Sequence, residues 1–317
     1  MNKEDIHIIS RHSNWSEEGV EAALKQHVYS STKSWNKFLQ LLFMSLGVGF
    51  TVSGILFFFA YNWAHLHKFA KLGLVEGLII LVVLTAVFSK LNQSIKDIIL
   101  TGAAALVGVL FAVYGQIYQT GANAYDFFLG WTVFITIWVV VSNYPPLWLL
   151  FLTLINTTFV LYTQQVAQNF TEVYFVSIVF VFNALCLIGF LSLQHLKNNI
   201  NVPLWFTNVL ALAVISISTI GISTGIFNHF EMQYSVLLIA AIPVYVLGII
   251  YGYKYKRAFY LSIIPFSLII IICALLIKAS DGAGMFFTIC LFVIASISGL
   301  IASLIHIQKK WNNEPIN

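Results

Sequence analysis

Long apolar runs alternate with short polar segments along almost the whole chain. The runs lie near residues 38–60, 70–89, 98–118, 127–142, 146–163, 171–193, 202–227, 234–253, 258–278 and 284–306. A run of about 20 apolar residues spans the hydrocarbon core of a bilayer as an α-helix. Because no water reaches backbone groups there, helices are the expected spans. The pattern therefore predicts an all-α, polytopic transmembrane helical bundle of about ten spans.

The fourth and fifth runs are short and closely spaced. The segment Ser142-Asn143-Tyr144-Pro145-Pro146 separates them. Since proline disfavours helix at the residue before it, this segment predicts two separate spans.

Composition supports a membrane protein. Apolar residues make up 59% of the 317 residues and charged residues only 9%. A soluble domain carries about 25% charged residues, so this chain cannot cover a soluble surface. The net charge of +4 is too small to indicate nucleic-acid binding, and no nucleic-acid partner is expected.

The distribution of basic residues predicts the orientation. With the N-terminus inside, only Lys68, Lys71 and Lys278 of the 16 basic residues fall on the outer side. This asymmetry agrees with the positive-inside rule. It predicts a multi-pass protein of the inner (plasma) membrane with both termini in the cytoplasm.

Three segments organise the chain. Residues 1–37 form a cytoplasmic amphipathic segment, in which Ser16 can cap a helix and Glu21 can pair with Lys25 one turn later. This helix either docks a protein partner, or lies on the membrane surface or packs on the bundle. Residues 38–163 form a five-span core, and residues 164–317 form a second five-span half with a short cytoplasmic tail.

Small residues and prolines mark sites of helix packing. Ser45, Gly49 and Ser53 form one stripe, Ala104, Gly108 and Ala112 a second, and Gly221 and Gly225 a GxxxG pair. Such stripes allow close approach between membrane helices. Pro243 and Pro265 lie inside predicted spans, where proline either kinks a moving helix or belongs to a static bundle.

Hydrogen-bonding residues gather near the predicted outer boundary. The candidate ligand-binding residues are Asn62, Gln116, Gln119, Asn123, Tyr125 and Asp126. Gln116 continues the second small-residue stripe by one turn, so we expect it to face neighbouring helices. Polar groups at this depth are costly unless paired or solvated. The functional interpretation is an outward-facing pocket for a small polar ligand, and the alternative is a tight loop in which Asp126 caps the fourth span.

Glu76 lies well inside the second span. An intramembrane carboxylate is a candidate proton or ion site. The alternative is a carboxyl group paired with a nearby hydroxyl or amide.

Metal and catalytic chemistry have little support. His65 and His67 could bind a metal with Asp126, but nothing in the sequence fixes a further ligand. Cys186, Cys273 and Cys290 lie in apolar runs and are interpreted as packing residues. No Walker or HExxH motif occurs. We therefore expect no metal site, no cofactor and no enzymatic activity.

Several motifs resemble one family. They are Phe59-Ala60-Tyr61-Asn62-Trp63, Thr101-Gly102-Ala103, Gly115-Gln116-Ile117-Tyr118-Gln119-Thr120-Gly121, and the segment from Trp148 to Tyr162. Over residues 15–163 the chain resembles the bacterial membrane proteins of domain of unknown function 2157. The resemblance implies residence in a bacterial inner membrane and no particular activity.

These observations favour a transporter or ligand-binding protein with an outward-facing polar pocket. The alternative is a non-catalytic structural or accessory protein of the cell envelope, with an N-terminal helix that docks a partner. The lipid bilayer is the expected environment in both cases.

Overall fold

The computed structural model describes residues 6, 10, 12, 15–27, 32–62, 64, 66–118, 123–167, 171–196, 202–228, 232–279 and 282–313, with α-helices and no strand among them. The helices are α1 (Glu17–His27), α2 (Thr32–Tyr61), α3 (Lys68–Phe88), α4 (Gln93–Tyr118), α5 (Ala124–Ser142), α6 (Pro145–Gln165), α7 (Glu172–Leu196), α8 (Leu204–Phe227), α9 (Met232–Lys254), α10 (Ala258–Ala279) and α11 (Ala283–Asn313).

Ten of the described helices, α2 to α11, are long and apolar enough to cross a membrane. The length and the apolar composition of these helices support this assignment. The prediction of an all-α polytopic bundle with about ten spans is confirmed. The chain is therefore a multi-pass membrane protein.

The fourth and fifth predicted spans are separate helices. α5 ends at Ser142 and α6 begins at Pro145. Asn143 adopts a left-handed conformation with φ of 47°, which suits the residue after a helix C-terminus. Pro145 takes the first helical position, where a missing N–H costs no helical bond. This local chemistry explains the sharp boundary.

The N-terminal helix α1 has the predicted cap and ion pair. The Gly19 amide donates to Ser16 Oγ at 3.2 Å, and Lys25 Nζ lies 2.8 Å from Glu21 Oε1. Both charged side chains are exposed. The Lys25 ammonium holds the pKa of Glu21 below its usual value, and the carboxylate raises the pKa of Lys25.

Backbone contacts divide the chain into two compact units. Unit 1 comprises residues 1–122 and 130–144, and unit 2 comprises residues 123–129 and 145–317. The predicted division of the membrane region between residues 163 and 164 stays a prediction.

Unit 1 is organised around α4. Helices α2 and α3 both pack on it, and Ala103, Ala104 and Val107 of α4 are fully buried. Trp131 of α5 donates its indole N–H to the Ala104 carbonyl at 2.7 Å. A Cβ on Gly108 would come within 2.6 Å of the same indole, so the predicted second stripe admits Trp131 because its residues are small.

Unit 2 is organised around α8. Helices α7, α9 and α10 pack on it, and the core contains Phe180, Phe206, Val214 and Leu237. A Cβ on Gly221 would meet Val176 at 2.6 Å, and one on Gly225 would clash with Tyr234. The GxxxG pair therefore seats side chains of both α7 and α9.

The first small-residue stripe differs from the other two. Ser45, Gly49 and Ser53 are exposed, and a Cβ on Gly49 would meet nothing within 4 Å. The side of α2 that packs on α4 is a different one. Within the described part of the chain this stripe has no covering helix.

Candidate functional site

Two of the predicted ligand-binding residues lie in unit 1. Asn62 Nδ2 donates to the Phe58 carbonyl of its own helix at 2.9 Å. Gln116 is exposed, so the expectation that it faces neighbouring helices is wrong. Trp131 covers the stripe at Ala104 and Gly108, whereas Gln116 lies about 12 Å further along α4 at 1.5 Å per residue.

Three more of these residues lie in unit 2, Asn123 just before α5 and Tyr125 and Asp126 in its first turn. The Asp126 amide donates to the Asn123 carbonyl at 3.1 Å, and both side chains are exposed. Asp126 lies in the first turn, where a negative charge favours the helix dipole. The Tyr125 amide donates to Gln165 Oε1 at 3.2 Å. This bond joins the start of α5 to the end of α6.

The predicted outward-facing pocket stays a prediction. Gln119 lies outside the described residues. The other five do not line any of four grooves between described helices. His65, considered above as a metal ligand, also lies outside the described residues. Among the described residues, no group of three His, Cys, Asp or Glu side chains could hold a metal ion.

Glu76 lies on the exposed side of α3. Its neighbours on that side, Gly73 and Gly77, have open space around them. The opposite side of the helix is buried and includes Lys71, which is only 7% exposed. Because Glu76 faces away from its own unit, a partner for its carboxylate would come from outside that unit. Its role as a proton or ion site stays a prediction.

A hydroxyl network joins three helices in the core of unit 2. Its members are Ser218 and Thr219 of α8, Tyr245 of α9 and Ser267 of α10, all of them buried. Hydrogen bonds join Ser218 Oγ to Tyr245 Oη at 2.9 Å, Tyr245 Oη to Ser267 Oγ at 2.6 Å, and Ser267 Oγ to Thr219 Oγ1 at 2.5 Å. Thr219 Oγ1 donates to the Ile215 carbonyl at 2.6 Å.

The four hydroxyl groups of this network share five hydrogen-bond contacts, because Ser218 Oγ also donates to the Ile215 carbonyl at 2.9 Å. Ser218 and Thr219 both donate to this carbonyl, so Tyr245 and Ser267 supply the protons between the side chains. Each hydroxyl takes part in two of the five contacts. A polar network whose members all have partners rigidifies the region it occupies. The network therefore fixes α8, α9 and α10 against one another.

The two intrahelical prolines lie beside this network. Pro243 precedes Tyr245 by two residues, and Pro265 precedes Ser267 by two. Each proline removes the hydrogen bond to the carbonyl four residues earlier. Both helix interruptions thus occur where a side-chain network ties the helices together, which favours the static interpretation of the prolines.

A groove of about 540 Å³ opens between α8 and α10 next to the network. We call it the hydroxyl groove. Its lining combines apolar side chains with side chains that carry hydroxyls. The apolar ones are Leu212, Ile215, Ile220, Ile263, Phe266 and Ile270, and the five with hydroxyls are Ser216, Thr219, Ser223, Thr224 and Ser267. None of these residues is ionisable. Ser223 Oγ is buried without a hydrogen-bond partner.

A second polar contact joins α6 and α7. Asn156 Nδ2 donates to Asn183 Oδ1 at 3.1 Å, and Asn183 Nδ2 donates to Asn156 Oδ1 at 2.7 Å. Each amide also donates to a carbonyl of its own helix at 2.8 Å. Such interhelical bonds stabilise membrane bundles. Sequence reasoning missed this pair and the hydroxyl network, because single Asn, Ser and Thr residues in apolar runs do not reveal their partners.

Residues 14–148 match the model of a family described as predicted membrane protein, domain of unknown function 2157. The match confirms the resemblance inferred from the motifs of the first spans. It ends at residue 148, so the resemblance over residues 149–163 stays a prediction. No curated protein and no solved structure matches the chain.

Proposed function

We propose that this multi-pass membrane protein, whose residues 14–148 match the domain-of-unknown-function-2157 family, binds an uncharged, lipid-like molecule with a hydroxyl group in the hydroxyl groove. The observation that carries the proposal is the groove's lining: five hydroxyl side chains and no charge, inside a helix pair long enough to span a membrane. Small-molecule sites are mostly apolar with a few placed polar groups.

Ser223 gives the proposal its polar anchor. Its Oγ is buried without a partner, and a buried hydroxyl without a hydrogen bond costs about 1–3 kcal/mol. Because Ser223 lines the groove, a ligand hydroxyl there could satisfy this oxygen. Thr219 and Ser267 are already engaged in the network, so they shape the wall instead of offering a donor.

Ligand entry follows from the position of the groove. It opens on an exposed surface of the α8–α10 pair, where the exposed side chains of Leu212, Ile220 and Phe266 form its rim. An amphiphile dissolved in the bilayer could enter sideways, without crossing an aqueous phase. The proposed activity is binding, with no catalytic step, since the groove lining offers no ionisable acid or base.

The test uses a photoactivatable diacylglycerol, which carries one free hydroxyl on an apolar body. The full-length protein in neutral vesicles is irradiated with the probe, and labelled peptides are mapped by mass spectrometry. We expect labelling on α8 and α10 that unlabelled diacylglycerol suppresses and triacylglycerol, which lacks the hydroxyl, does not.

Matched variants define the role of the anchor. Ser223→Ala should reduce saturable labelling about two- to tenfold, the range of one hydrogen bond. Ser262→Ala is the control, because the Ser262 hydroxyl donates to the Phe259 carbonyl of its own helix and lies outside the groove. Equal labelling of both variants and the native protein, or labelling elsewhere, would contradict the proposal.

A second candidate function is assembly with another membrane protein, as an accessory component of the envelope. The uncovered stripe of Ser45, Gly49 and Ser53 on α2 supports it, as does the exposed side of α3 that carries Glu76. An intramembrane carboxylate facing lipid is costly, so a partner helix would stabilise it.

Association can be measured by single-molecule photobleaching in vesicles. Gly49→Leu should reduce association while folding is retained, because a Cβ there meets nothing in the chain. Gly54→Leu, at another open position of α2, is the matched control for added bulk. A pull-down with the full chain and with a chain lacking residues 1–37 tests whether the N-terminal segment docks a partner.

The proposed location is a bacterial inner membrane with both termini in the cytoplasm. The charge asymmetry along the sequence supports it. Alkaline phosphatase fused after residue 317 should be inactive, because this enzyme requires export. High phosphatase activity would show that the C-terminus lies outside the cytoplasm and would contradict the proposed orientation.

A further inference from the structure

The turn between α9 and α10 concentrates positive charge at one end of the unit 2 helices. Lys254, Lys256 and Arg257 lie there, and the segment from Tyr251 to Tyr260 contains no acidic residue. The charge distribution along the chain predicts that this turn faces the cytoplasm. Clusters of basic residues at that boundary attract anionic lipids.

Two backbone hydrogen bonds hold this turn. The Arg257 amide donates to the Gly252 carbonyl at 2.8 Å, and the Lys256 amide donates to the Tyr253 carbonyl at 3.4 Å. These are the two bonds of a Schellman motif. Lys256 occupies its left-handed position with φ of 53°, where glycine is preferred. Lys256 therefore carries backbone strain that a glycine would avoid.

Arg257 is oriented by its surroundings. Its side chain is half-buried and lies beside Tyr251. Its Nε is buried without a hydrogen-bond partner. Since a guanidinium offers five donors in a fixed plane, Arg257 retains capacity for a planar or tetrahedral oxyanion.

An apolar groove of about 290 Å³ leads away from this turn, between the C-terminal halves of α7 and α9. Leu187 and Leu191 of α7 face Leu247 and Tyr251 of α9 across it, and Lys254 lies at its end. The Lys254 ammonium lies 5.5 Å from the Tyr255 ring centroid. A basic end and an apolar channel match the two parts of a phospholipid.

We propose that this groove binds an anionic phospholipid, with its phosphate at Lys254, Lys256 and Arg257 and one acyl chain between α7 and α9. The site differs from the hydroxyl groove in position and in charge, so either could exist without the other. We call it the basic groove.

The experiment titrates purified full-length protein, in neutral detergent, with phosphatidylglycerol and phosphatidylcholine of the same acyl chains. Native mass spectrometry counts the bound lipids. Phosphatidylglycerol should bind at least tenfold more tightly. Equal binding of the two lipids would overturn the proposal.

Charge variants locate the headgroup. Since each basic residue near an anionic lipid contributes about fivefold, the Lys254→Gln/Arg257→Gln double variant should lose about thirtyfold in affinity for phosphatidylglycerol. Lys309→Gln/Lys310→Gln removes the same charge from exposed positions of α11 and should change affinity less than twofold. Equal losses in both double variants would assign the effect to net charge and contradict the site.

Two further variants separate binding from folding. Arg257→Lys keeps the charge but lacks the planar donors, so it should lose less affinity than the Lys254→Gln/Arg257→Gln double variant. Lys256→Gly relieves the left-handed strain, so it should raise the unfolding temperature while weakening lipid binding about fivefold. A Lys256→Gly protein that binds phosphatidylglycerol as tightly as the native chain would exclude Lys256 from the site.

The acyl chain is tested separately. Ser192→Trp fills the α7 side of the groove and should weaken phosphatidylglycerol binding at least fivefold. Glycerol phosphate, which has the headgroup chemistry without the chains, should fail to displace the lipid at equal concentration. Displacement, or unchanged binding in Ser192→Trp, would show that no acyl chain occupies the groove.

Discussion

The amide pair between Asn156 and Asn183 allows a quantitative test of what holds α6 to α7. Two reciprocal hydrogen bonds of 3.1 and 2.7 Å join the side chains, and Asn183 is only 3% exposed. Interhelical hydrogen bonds in membrane proteins contribute about 0.6 kcal/mol on average and up to about 1.7 kcal/mol. Two such bonds should therefore give a coupling free energy of about 1–3 kcal/mol.

A double-mutant cycle measures this coupling. The native protein, Asn156→Leu, Asn183→Leu and the double variant are unfolded in mixtures of mild detergent and dodecyl sulfate, with circular dichroism as the signal. Each single variant leaves the other amide without its interhelical partner, so the double variant should cost less than the sum of the two.

The control is a second cycle, in which Thr153→Val takes the place of Asn156→Leu. The Thr153 hydroxyl donates only to the Leu149 carbonyl of its own helix at 2.8 Å. Thr153→Val combined with Asn183→Leu should therefore be additive. A coupling below about 0.5 kcal/mol for the Asn pair, the range in which independent sites add, would refute the reasoning.

Three further predictions concern other parts of the chain. Gly108→Leu should destabilise unit 1 by about 1–3 kcal/mol, because its side chain would overlap the Trp131 indole; chemical unfolding with Trp fluorescence would measure it, and an unchanged midpoint would contradict the packing. The Glu21–Lys25 pair should stabilise α1 above pH 4.5, and this contribution should disappear as the pH falls through the lowered pKa of Glu21. NMR of ¹⁵N-lysine in the full protein should report that loss, and Glu21→Gln should abolish the pH dependence. Lys256→Gly should stabilise unit 2 by about 1 kcal/mol, measured by thermal unfolding in detergent without lipid.

The sequence predicts the spans well because the bilayer imposes a simple length rule. Each predicted run becomes a helix, and the Pro145 boundary follows from proline chemistry alone. The N-cap at Ser16 and the Glu21–Lys25 pair are likewise local, since both partners lie within one helical turn.

Helix rotation is much harder to predict. Gln116 was placed toward neighbouring helices because it continues a stripe of small residues, yet the cover provided by Trp131 ends before it. A stripe of small residues indicates which side of a helix another helix can approach closely. It does not show how far along the stripe that second helix extends. The stripe that contains Gly49 makes the same point, since it has the pattern of a packed side and remains exposed.

The polar contacts between helices depend on partners far apart in sequence. Thr219 and Ser267 are separated by 48 positions, and Asn156 and Asn183 by 27. Each residue alone is an ordinary member of an apolar run. Only the packing of the helices brings the hydroxyls and amides together, so the strongest candidate site lay outside the predicted set.

The uncharged lining of the hydroxyl groove has an electrical consequence. Moving one elementary charge across the membrane potential changes the free energy by about 2.3 kcal/mol per 100 mV. A neutral molecule that enters the groove between α8 and α10 moves no charge, and the residues that line the groove carry no charge. Occupancy of the groove would therefore follow the abundance of that molecule in the lipid, and de-energising the cell would leave it unchanged.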